Sequence, residues 1–92
     1  MIQSHAVVGT PHASRYLQQL AKHWAHKFET TFDPHSARIA LPLGEARLAA
    51  TDEALTIDLS TDDAAKLPDF QAVLVRHVER FAFRETLHFD WT

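Results

Sequence analysis

Between Pro11 and Lys27, Leu17, Leu20, Ala21, Trp24 and then Phe28 recur at three- and four-residue intervals. At about 100° per residue they share one face of a helix. His12, Arg15, Gln19, Lys22, His23 and His26 fall on the opposite face. Upstream, His5 to Thr10 contains Val7 and Val8 and reads as a strand leading into that helix. Thr10 is the predicted N-cap and Pro11 the first helical residue, where a missing N–H forfeits no intrahelical bond. His26 and Lys27 close the helix, because cations are favoured at the negative end of the macrodipole.

From Phe28 to Leu59 the apolar period becomes two: Phe28, Thr30, Phe32; Ala37, Ile39, Leu41; Ala46, Leu48, Ala50; Leu55, Ile57, Leu59. Four strands are predicted. They are joined by a type I turn at Asp33-Pro34-His35-Ser36, by Pro42-Leu43-Gly44 and by Thr51-Asp52-Glu53. Connections this short imply an antiparallel meander. The alternate positions Glu29, Thr31, Arg38, Glu45, Arg47, Thr56 and Asp58 are polar, so one sheet face meets water and the other meets helices. Ser60 to Asp63 suits a helix start. A second helix is predicted from Pro68 to about Phe83, with Leu67, Phe70, Leu74, Val78 and Phe81 inward and His77, Arg80 and Arg84 along one flank. Leu87, Phe89 and Trp91 alternate with His88 and Asp90, which predicts a short final strand. The sum is a single α+β domain over residues 1–92, a two-layer sandwich with both helices on one face of an antiparallel sheet.

Composition narrows the function classes. The chain has 92 residues, 46% hydrophobic and 23% charged, with a formal net charge of -3. Mild acidity argues against nucleic acid, since binding to phosphates normally leaves a basic domain, and the outer sheet face lacks aromatics on which bases stack. Cysteine is absent, which excludes disulfides and thiolate chemistry, so any metal must use His, Asp or Glu. Neither a basic leader nor an apolar run of about 20 residues is present, so the expected location is cytoplasmic, with no membrane partner.

Ala13 to Leu17 with Lys22 to Lys27, Thr31 to Asp33, and Arg76 to Glu85 with Trp91 resemble a bacterial family, domain of unknown function 2218 (DUF2218). The resemblance extends over nearly the whole chain. It implies a small stand-alone domain and a link to siderophore-interacting flavin reductases, to which similar domains are sometimes fused, and hence iron-related physiology. The family has no defined catalytic residues to carry over.

The residues themselves suggest three chemistries. Arg15, Lys22 and Lys27 on the first helix and Arg80 and Arg84 on the second would line a groove if the helices lie side by side. His23, His26 and His77 stand along it and add charge as pH falls, so the groove suits a small anionic ligand or a protein partner. The plainer alternative pairs Arg80 and Arg84 with Glu79 and Glu85 in surface ion pairs. Second, His23 and His26 stand three residues apart, about 4.5 Å in rise, close enough to share a zinc or iron ion. A third ligand would come from His77 or Glu29. Third, Tyr16, His23, His77 and Glu85 offer an acid, a base and an orienter for catalysis. No phosphate loop or HExxH motif exists, with Gly9 and Gly44 the only glycines. The preferred reading is a non-enzymatic binding or accessory module without a tightly held cofactor. Phe83 and Trp91 are candidates for a protein-facing rim, and strand addition at a sheet edge would permit a homodimer as well as a monomer.

Overall fold

The computed structural model describes residues 2–92. The elements run β1 (Ile2–Gly9), α1 (Ala13–Ala25), β2 (Thr30–Phe32), β3 (Ser36–Leu41), β4 (Gly44–Ala50), β5 (Ala54–Thr61), a 3-10 turn (Ala64–Lys66) and α2 (Leu67–Phe81). The sheet is wholly antiparallel, in the order β1-β5-β4-β3-β2. Hairpins join β2 through β5, and β1 pairs with β5 along its whole length, from Ile2 opposite Thr61 to Gly9 opposite Ala54. The connection from β1 to β2 must therefore span the sheet, and α1 makes that crossing. It packs against β2, β3, β4 and β5 while α2 lies beside it over β5.

Strand alternation decides which residues meet the helices. Ala37 and Ile39, Ala46, Leu48 and Ala50, and Leu55, Ile57 and Leu59 are buried. From above, Leu17 and Leu20 of α1 and Phe70, Leu74 and Val78 of α2 close the core with no exposure. Each such side chain contributes about 1.5–3 kcal/mol through burial. The opposite sheet face is polar and open.

Several boundaries differ from the sequence expectation. α1 begins at Ala13 and its N-cap is His12, without a side-chain cap. Thr10 instead closes a local turn, its Oγ1 accepting from the His12 N–H at 3.1 Å, so Pro11 lies before the helix. α1 ends at Ala25, and α2 runs from Leu67 to Phe81, two residues short of Phe83. β2 is short, and Phe32 remains 39% exposed because it lies on the outermost strand, beyond the cover of the helix. The segment after α2 is extended but pairs with β1 at a single place. There Thr92 N–H donates to His5 O at 2.8 Å and His5 N–H to Thr92 O at 3.1 Å, so Leu87 to Trp91 form no strand. Side chains hold that segment: Leu87 is buried, and Phe89 and Trp91 pack against the core.

Candidate functional site

α1 and α2 run antiparallel, since Tyr16 near the start of α1 meets Glu85 beyond α2, whereas His23 and Trp24 near its end meet His77. Two side-chain groups result, about 10 Å apart along α1. The first is a part-buried tether. Glu85 accepts from the Tyr16 hydroxyl and from Thr10 Oγ1, at 3.0 Å for Oε2 and 3.2 Å for Oε1. Burial, reinforced by the hydrogen bond and charge of Glu85, holds the Tyr16 hydroxyl above its ordinary pKa of 10.0.

The second group is cationic. The His23 and His77 rings lie 5.5 Å apart, His77 is 4.8 Å from Trp24, and His23 is 6.1 Å from Phe81. His77 Nδ1 lies 2.7 Å from the Val73 carbonyl. A carbonyl only accepts, so Nδ1 carries the proton and Nε2 is left for another partner. His23 is exposed, but partial desolvation, and then the charges of His77, Arg80, Lys27 and His26, hold it below the usual imidazole pKa. On α2 a hollow of about 310 Å³ is lined by Arg76, His77 and Arg80.

The expected groove is thus only partly assembled. His23 and His77 are brought together, the charges of His26, Lys27 and Arg80 act on His23, and Arg76, not expected from the sequence, shares a hollow with His77 and Arg80. Lys22 is exposed and is not among the charges that depress His23. Arg15 lies two turns earlier, where its charge acts on Tyr16. Arg84 stands past the end of α2 with its guanidinium 5.5 Å from the exposed Phe83 ring. The plainer alternative does not form: among the described residues none of Arg15, Lys22, Lys27, Arg76, Arg80 and Arg84 joins an ion pair, and Glu85 turns inward.

The other chemistries find less support. Among the described residues no three His, Cys, Asp or Glu side chains converge as metal ligands. Glu29 cannot complete a His23–His26 pair, because strand alternation puts it on the open sheet face beside Arg38 and Glu45. Tyr16 with Glu85 and His23 with His77 form two separate pairs, so the four do not make one catalytic constellation.

Three of the four ion pairs among the described residues lie on the open sheet face, the fourth joining Lys66 to Asp62 before α2. Glu45 accepts from Arg47 Nε at 2.8 Å and forms an ion pair with Arg38, whose Nε lies 2.6 Å from Oε1, and His5 meets Asp58 at 2.5 Å. The Arg47 hydrogen bond is the main reason Glu45 is held below the ordinary carboxylate range, with Arg38 adding to it. Alternation made these polar positions visible in the sequence, but it could not say that they are neighbours.

Residues 5–92 match the model of a family described as uncharacterised proteins conserved in bacteria, DUF2218. No curated protein matches the chain. The NMR structure of PA4090 from Pseudomonas aeruginosa is similar throughout, with 33% identity, a TM-score of 0.83 and coverage of 100% of this chain and 96% of that one.

Proposed function

This chain belongs to the DUF2218 family of bacterial proteins, and from that premise we propose that it is a non-catalytic binding module, cytoplasmic, whose site is the cationic edge where α1 meets α2. One observation carries the reading: the His23 and His77 rings lie 5.5 Å apart where α1 meets α2, and none of the cations Lys27, Arg76 and Arg80 near them joins an ion pair among the described residues. Clustered like charges repel, and an anion seated among them relieves that repulsion through charge-assisted hydrogen bonds. His77 Nε2 and the guanidiniums of Arg76 and Arg80 supply donors once the imidazole is protonated. The rings of Phe81 and Trp24 pack against His23 and His77, so this edge is partly apolar beneath the imidazoles. An anionic iron chelate is the first ligand class to try, because the family resemblance points to siderophore handling.

The test is an NMR titration with sulfate and with gallium-loaded citrate, a diamagnetic stand-in for an anionic ferric chelate. Both are expected to shift the His23, His77 and Arg80 signals, the chelate at lower concentration. Replacing Lys27 and Arg80 together by Ala should weaken binding about tenfold or more. Shifts confined to other residues would refute the site. Equal affinities for sulfate and the chelate would remove the iron connection while leaving the anion site standing.

A further inference from the structure

Once the helices pack, the imidazole that meets His23 is His77 across the helix pair, with ring centroids 5.5 Å apart, rather than His26 on its own helix. Zinc–nitrogen bonds of about 2.0–2.1 Å at a tetrahedral centre hold two bound imidazole rings with their centroids roughly 5 Å apart. The two rings thus stand at the spacing of ligands that share one ion. Trp24 packs 4.8 Å from His77 and Phe81 6.1 Å from His23, so neighbours on both helices restrict the rings. His77 Nδ1 donates to the Val73 carbonyl at 2.7 Å. Metal-binding histidines are commonly oriented by such a bond, which fixes the tautomer and leaves the Nε2 lone pair for the ion.

The surrounding charge selects the species. Lys27 and Arg80 act on His23, and Arg76 and Arg80 line a hollow with His77. A bare dication would be repelled by these side chains. Two imidazoles also fill only two coordination positions, and among the described residues no third His, Cys, Asp or Glu converges on them. A metal that arrives with its own carboxylates meets both conditions. The carboxylates occupy further positions and turn the net charge of the ligand negative, and guanidinium groups then pair with their oxygens.

We propose that His23 and His77 together ligate the metal of an anionic chelate, a divalent ion of the zinc class held by a small polycarboxylate, across the α1–α2 edge. The inference rests on the reading of this edge as an anion site and adds that imidazole nitrogens enter the coordination sphere of the metal. Imidazole suits zinc, copper, iron and nickel ions, whereas arginine and lysine suit the carboxylates that accompany them.

The test is an NMR titration, read at the imidazole nitrogens, with the zinc complex of nitrilotriacetate, an anion that keeps coordination positions open on the metal. Metal-free nitrilotriacetate and sulfate are the controls. The zinc complex is expected to move His77 Nε2 and one ring nitrogen of His23 together, by a saturable shift that neither control produces. His23→Gln and His77→Gln should each weaken the complex more than about tenfold, and His23 is exposed, so its variant keeps the fold. His26→Gln should cost far less. Replacing Lys27 and Arg80 together by Ala should weaken binding of the zinc complex yet strengthen binding of bare zinc, since the two carry opposite charge. Changes of the same sign would contradict the selection by charge. Shifts no different from those of metal-free nitrilotriacetate would overturn the inference, and if sulfate still moved these residues the anion site would stand without it. No response to any of the three would remove both. Equal losses from His26→Gln and His77→Gln would place the ion on α1 and also overturn the cross-helix pair.

Discussion

Glu85 shows how one carboxylate can hold a segment that lacks regular structure. Tyr16 and Thr10 are both nearly buried, and each spends its hydroxyl on Glu85. Removing one partner strands the others, which is the costly way to lose a hydrogen bond. Tyr16→Phe should therefore destabilise the fold by about 1–3 kcal/mol, read as a lower urea midpoint at unchanged slope. The same contact has a pH signature. The folded pKa of Tyr16 is raised above its ordinary 10.0, so the unfolded chain gives up this proton first. Stability is then complete below pH 10 and falls as pH rises beyond it, and Tyr16→Phe should flatten that alkaline decline. His23 titrates with the opposite sign: its folded pKa is lowered from 6.5, so the unfolded chain takes up a proton first as pH falls. Stability from this group is lost from about pH 6.5 downward, and His23→Gln should blunt the loss measured by thermal unfolding.

The hairpins set the register of the sheet at the level of elements. Gly44 opens β4 opposite Leu41, after a two-residue loop, with φ +152°. A Cβ there would lie 2.1 Å from the Ser60 carbonyl oxygen and 2.8 Å from the Phe70 ring. Gly44→Ala should cost more than about 2 kcal/mol by chemical denaturation, since the obstructing atom is backbone and cannot rotate away. The β2–β3 turn is held differently, by Asp33 Oδ1 accepting from the N–H groups of His35 at 2.7 Å and Ser36 at 2.9 Å. That turn was legible from Asp33-Pro34 alone, as were the inward residues of β3, β4 and β5, because burial on one face imposes a strict period of two. The helix ends and the last segment were less legible. Thr10 had a competing partner in Glu85, 75 positions away, and alternation in Leu87, Phe89 and Trp91 reflects contacts with the core rather than a ladder. Long-range hydrogen bonds of this kind leave no local pattern.

For the whole molecule the informative feature is how charge divides between its two sides. On the open sheet face cations and carboxylates are neighbours and pair: Arg38 and Arg47 with Glu45, and His5 with Asp58. On the helix edge the described cations have no acidic partner. The helical periodicity of α1 revealed His23 and His26, yet only the tertiary crossing of α1 and α2 brought His77 and Arg80 beside them and left Arg15, Lys22 and Arg84 elsewhere. Anion binding at such an exposed edge should weaken steeply between low salt and 1 M salt, where the screening length falls to about 3 Å. The same geometry sets the pH dependence of that binding. An anion beside His23 opposes the neighbouring positive charges, so it favours the protonated imidazole and binds more tightly as pH falls through the histidine range.

The most direct measurement is the imidazole titration of His23 by NMR, with and without sulfate, which stays dianionic across the histidine range. A His23 pKa below 6.5 is expected in the free protein, with a clear rise when sulfate is present and sulfate affinity increasing toward acid. A His23 titration curve unchanged by sulfate would contradict the assignment of the α1–α2 edge as an anion site.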